Sequence, residues 1–133
     1  MTVELTFLAL TALLAATLWL PFVIGVNTAA VALPDDNRPL DPARYPPWVH
    51  RAYRAHLNLL EQFLPFAVIV VIAHLAGVSG PVTSWAAGVF FVLRVAHAYW
   101  MISGRTVLPV RPILFTAGWV CILVIGVTAL VSG

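Results

Sequence analysis

The sequence predicts an all-α integral membrane protein, a four-helix bundle forming one domain over residues 1–133. Three observations carry that prediction. Of the 133 residues, 62% are hydrophobic and 9% charged, where a soluble domain carries roughly a quarter of its residues as charged side chains. Charge is absent from Leu5 to Leu33, from Gln62 to Leu93 and from Pro112 to Gly133, and each stretch exceeds the roughly 20 helical residues that cross a hydrocarbon core. The middle stretch contains Gly77-Val-Ser-Gly80-Pro81, a turn-forming cluster that divides it into two helices. This composition excludes a soluble enzyme. It also lacks the basic surface stripe that nucleic acid requires, so no nucleic-acid partner is expected.

The first span is predicted over residues 5–32. Glu4 and the absence of a basic residue before the apolar run, together with the length of that run, favour a retained helix over a cleaved signal peptide, despite Ala30-Val-Ala32 at its end. Residues 33–48 follow as a polar connector whose five prolines oppose helix formation, with Tyr45 and Trp48 expected as interfacial aromatics where the chain re-enters the membrane. The second span is predicted over 49–76, the third over 82–103 and the fourth over 108–131, the last opening with Pro109 and Pro112, residues tolerated at a helix start. Arginine is the only basic residue type besides histidine. Arg38, Arg44, Arg51 and Arg54 flank the first loop and Arg105 and Arg111 the third, while the second loop and the termini have none. By the positive-inside rule, the first and third loops face the cytoplasm and both termini the opposite side. Cys121 is the only cysteine, which excludes an intrachain disulfide and suits a small apolar position in the last helix.

Polar chemistry concentrates at one end of the second and third spans. Arg51, Arg54, Asn58 and Glu61 recur at steps of three and four, a single polar stripe on a helix. His56 projects roughly 160° away from Arg54. Glu61 falls inside the membrane, where an ionised side chain needs a partner. Arg94 and His97 are neighbours on one face of the third span, with Met101 continuing that face and Tyr99 turned away. An Arg94–Glu61 pair would satisfy both charges and simply join the two helices. Alternatively Arg51, Arg54, Arg105 and Arg111, with Asn58 and His97, form a basic pocket suited to a small ligand with several carboxylates. Anchoring to anionic lipid headgroups explains the same arginines equally well.

Arg54-Ala-His56-x-Asn58-x-x-Glu61 followed by Pro65-Phe66, with Arg94-x-x-His97 one span later, resembles the MAPEG family, the membrane-associated proteins of eicosanoid and glutathione metabolism. The resemblance covers all four spans and the proline-rich loop, which looks like that of bacterial members. It implies a homotrimer in a bacterial inner membrane, with glutathione bound between subunits near the cytoplasmic face. The expected activity is that of a glutathione-dependent transferase or peroxidase acting on a lipophilic electrophile from the bilayer. The glutathione-binding set is then Arg51, Arg54, His56, Asn58, Glu61, Arg94 and His97. Arg111, or alternatively Arg105, matches the arginine near the start of the fourth helix that stabilises the thiolate. No metal is implied. Where several catalytic members carry a tyrosine one turn after the third-span histidine, this chain has Met101. A non-catalytic lipid-binding or scaffold protein of the same fold is the alternative.

Overall fold

A computed structural model describes residues 1–105, 107 and 109–132. Among these residues the chain is all-helical. Helix α1 runs over Val3–Thr17 and α2 over Leu20–Thr28, followed by a short 3-10 turn at Pro42–Arg44. The remaining helices are α3 (Pro47–Leu75), α4 (Pro81–Ser103) and α5 (Val110–Ser132). Counting α1 and α2 as one segment, four are long and apolar enough to cross a membrane. The chain is an integral membrane four-helix bundle.

The first span differs from the single helix over 5–32 that composition suggests. It breaks at Leu18 and Trp19 and stops at Thr28. Pro21 has no N–H to donate to the Thr17 carbonyl, which removes one rung of the helical ladder at that point. The Trp19 indole N–H instead donates to the Ala16 carbonyl at 2.7 Å. By contrast, α3 runs through Pro65 without interruption, because its neighbours on either side hold the helix. α3 begins two residues and α4 one residue earlier than expected, each with a proline in its first turn. The expected start of the fourth span, Leu108, lies outside the described residues.

α4 is the central element and packs against α1, α3 and α5. Its core contact is Phe66 of α3 stacked on Phe90 of α4, with centroids 4.0 Å apart and planes at 15°. Val70, Ala87, Ile125 and Cys121 belong to the same cluster, so Cys121 is a small core residue as expected. Dispersion between close-fitting side chains is what such a core gains, since lipid tails are as apolar as the helices themselves.

The two ends of the bundle are pinned by polar side chains. At one end the buried Glu4 carboxylate accepts hydrogen bonds from Ser79 at 3.1 Å and Ser84 at 3.0 Å, and from Thr83. It thereby ties the start of α1 to the first turn of α4, where helix N–H groups and their dipole favour a carboxylate. At the other end Arg51 of α3 reaches the Ile102 carbonyl near the end of α4, at 3.3 Å. The first loop and the α4–α5 connection therefore share one end, and the start of α1 shares the other with the α3–α4 turn.

Tyr45 is buried with Val26 of α2 and Val49 of α3. This packing is possible because Gly25 lets α2 approach closely: a Cβ there would stand 2.6 Å from Val49 Cγ2 and 2.7 Å from the Trp48 ring. Within the loop, Asp36 pairs with Arg38, whose guanidinium holds the Asp36 carboxyl below the usual carboxylate range.

Candidate functional site

A cavity of about 700 Å³ opens at the loop end of the bundle, between α3, α4 and the start of α5. Five of the residues singled out in the sequence line it together: Arg51, Asn58, His97, Arg105 and Arg111. Trp100, Met101, Phe115 and Thr116 add a largely apolar wall. Three arginines and no carboxylate among the described lining residues give the cavity a positive field, which a low-dielectric surround focuses.

α3 supplies Arg51 and Asn58 because seven residues separate them, leaving them only roughly 20° out of register on a helix. Arg54 and Glu61 form a second such row, turned roughly 60° from the first. The stripe read as one face is thus two rows. One faces the cavity, and the other lies exposed on the outside of the bundle. Asn58 donates from Nδ2 to the Arg54 carbonyl at 2.7 Å and lies 3.7 Å from Met101 Sδ, which leaves its Oδ1 to accept from a ligand.

His97 is buried at the inner wall, its ring 6.2 Å from that of Phe115. Arg105 is held on the rim, its guanidinium carbon 5.4 Å from the Tyr99 ring centroid and 5.3 Å from that of Trp100. Its Nη2 also donates to the Tyr99 hydroxyl at 3.4 Å. Arg111 lies exposed in the first turn of α5 and lines the cavity from there. Tyr99 is exposed and occupied by Arg105, so the phenol is directed away from the cavity. Met101 fills the inner position with 5% exposure.

Besides Arg54 and Glu61, two other candidates, Arg94 and His56, lie apart from this cavity. Arg94 is only 1% exposed and sits behind Phe115, its guanidinium carbon 5.5 Å from that ring and 5.9 Å from the Phe90 ring. Its Nη2 donates to the Leu114 carbonyl at 3.1 Å. The expected Arg94–Glu61 pair is not formed: among the described residues the only ion pair is Arg38–Asp36. The reason is rotational. Arg94 points into the bundle, and on α3 the inward position belongs to Gln62, one residue past Glu61. His56 is half-buried outside the cavity, with Nδ1 lacking a partner among the described residues.

Gln62 is the residue that reading for charge overlooks. It is 4% exposed and donates from Nε2 to the Phe115 carbonyl at 2.8 Å. The signal is present in the spacing: Ala55, Leu59, Gln62 and Phe66 follow the three-and-four rhythm of a buried row. Neither a cysteine nor a carboxylate is among the described lining residues, so the charged side chains that line the cavity are all cationic. No group of three His, Cys, Asp or Glu side chains converges among the described residues.

The sequence model of the MAPEG family matches residues 6–131 of the chain. No curated protein matches it significantly.

Proposed function

The chain belongs to the MAPEG family, and we propose that it is a membrane-embedded glutathione-dependent transferase or peroxidase acting on lipophilic electrophiles. The observation that carries this reading is the cavity holding Arg51, Arg105 and Arg111, without a carboxylate among its described lining residues, at the end of an otherwise apolar bundle. Glutathione has two carboxylates and one ammonium. Guanidinium groups match carboxylates in bidentate geometry, and Asn58 adds an amide for the peptide backbone.

Bound glutathione would supply a thiol nucleophile. Its thiol is mostly protonated at neutral pH, with a pKa of about 8.5 for a free thiol. Arg111, in the first turn of α5, provides the fixed positive charge that favours the anion. Arg105 is the second candidate, but its stacking on Tyr99 and Trp100 suits it to closing the rim. His97 bounds the inner wall, and Trp100, Met101 and Phe115 offer an apolar surface to a substrate arriving from the bilayer.

Arg54 and Glu61 fit the same reading through a neighbouring copy. Opposite charges exposed on the lipid-facing side of a transmembrane helix are costly, and a second subunit covering them removes that cost. A homotrimer, with Arg54, Glu61 and His56 completing the glutathione site across the subunit boundary, accounts for the exposure of Arg54 and Glu61. The arginine-bearing loops are assigned to the cytoplasm and the termini to the opposite side, in a bacterial inner membrane, because the second loop carries no arginine.

A second reading is favoured by Met101: with a thioether where the family's catalytic tyrosine would stand, the cavity suits a lipid-binding or scaffold protein. Calorimetry of glutathione with the purified trimer, alongside Arg54→Ala and a generic electrophile assay, separates the two. Saturable binding lost in the variant, with turnover, supports the enzyme. Binding of an apolar ligand without glutathione binding at millimolar concentration supports the scaffold.

A further inference from the structure

We propose that Gln62 and Arg94 are positioning residues that set the rotation of α5 and thereby aim Arg111 into the cavity; this rests on the reading above, in which Arg111 stands at the glutathione thiol. The two side chains come from different helices and donate to consecutive carbonyls of α5. Gln62 Nε2 reaches the Phe115 carbonyl at 2.8 Å, and Arg94 Nη2 reaches the Leu114 carbonyl at 3.1 Å. Both donors are almost fully buried.

The layout is layered. Asn58, His97 and Arg111 line the cavity from α3, α4 and α5. Gln62 lies four residues beyond Asn58, Arg94 three before His97, and Leu114 and Phe115 three and four beyond Arg111. Each brace point is therefore one helical turn deeper than the cavity residue on its own helix. Gly118 makes room for the layer: a Cβ there would stand 2.7 Å from Gln62 Oε1 and 3.4 Å from Arg94 Nε and Nη2.

Two facts argue that this layer serves geometry more than stability. Apolar helices in lipid have no hydrophobic force to fix their rotation against one another, so polar contacts are what specify it. The layer is also poorly satisfied: Arg94 Nε and Nη1 and Gln62 Oε1 have no partner among the described residues. A buried, incompletely paired arginine inside a membrane is expensive, and apolar side chains would pack there at less cost. Consecutive carbonyl oxygens sit roughly 100° apart in position around the helix axis, so holding both fixes the rotation and height of α5. A rotation of that size would carry Arg111 from the cavity to the lipid.

The test compares Gln62→Met, which keeps the volume and removes the donor, and Gly118→Ala, which displaces the Gln62 amide, with Arg111→Ala and the unmodified trimer. The readouts are the ultraviolet thiolate titration of bound glutathione and the separate kcat and KM for glutathione, each per folded trimer. For Gln62→Met the expected result is a thiol titration moved up toward that of free glutathione and a kcat lower by about 10- to 100-fold, with KM changed by no more than about threefold. Gly118→Ala should reproduce this, and it decides the matter if Gln62→Met does not fold. If Arg111→Ala shifts the titration while both other variants leave titration and kcat at the unmodified values, the positioning role is overturned and the glutathione reading stands. If the unmodified trimer binds no glutathione, both fall; if it binds glutathione and Arg111→Ala leaves the titration unchanged, the positioning role is overturned and the thiolate role passes to Arg105.

Discussion

The Arg51 guanidinium lies across the backbone of Gly104, so closely that a Cβ on that glycine would stand 2.7 Å from Arg51 Nη2. Gly104 ends α4 in the left-handed region at φ 74°, the common way for a helix to finish. The same glycine thus shapes the helix end and makes room for a cavity arginine. Gly104→Ala should cost about 1–2 kcal/mol from the backbone conformation alone and should push Arg51 aside. The expected outcome is a lower melting temperature in detergent together with weaker glutathione binding by calorimetry; an alanine variant with unchanged affinity would separate Arg51 from the ligand.

Arg111→Ala should reduce turnover by about 10- to 100-fold, the order of the change in thiolate fraction when an adjacent positive charge is removed. Oligomer mass and melting temperature should stay near those of the unmodified protein, since Arg111 is exposed and sits outside the apolar core. Full activity in this variant would move the role to Arg105.

Glu4→Ala should remove the carboxylate that accepts from the hydroxyls of Ser79, Thr83 and Ser84, leaving Thr83 the Gly80 carbonyl at 3.0 Å. Hydrogen bonds to a buried charge are worth about 1.5–3 kcal/mol each in favourable cases, and the loss here should total about 2–4 kcal/mol of stability. Because Glu4 lies at the end of the bundle opposite the cavity, glutathione affinity of the folded protein should be unchanged. Unfolding in increasing detergent denaturant, paired with calorimetry, reads both.

Phe90→Ala should remove the ring that stacks on Phe66 at 4.0 Å. In water such a change costs about 3–5 kcal/mol, but the transfer part is smaller where lipid replaces water, so about 1–3 kcal/mol is expected. The same unfolding assay checks it. A cost at or above the aqueous range would mean the bundle core is sealed from lipid more tightly than helix packing alone requires.

Composition and the placement of charge were enough to specify four transmembrane segments. Their limits follow from a simple physical fact, that hydrocarbon admits no unpaired backbone and few charges. The sequence also pointed to the arginines and to Asn58 and His97 as one constellation, because polar residues in an apolar helix stand out and helical spacing tells which are neighbours. Tertiary structure decided the rotation of each helix. That rotation divided the α3 stripe into an inner row of Arg51 and Asn58 and an outer row of Arg54 and Glu61, buried Tyr45, and broke the expected Arg94–Glu61 pair. It also gave Gln62 and Glu4 their partners: for Glu4, hydroxyls 75 to 80 residues away in sequence. Periodicity fixes which side chains share a face of one helix, but apolar helices offer lipid and protein nearly the same surface. Which face turns inward is settled only when the helices pack.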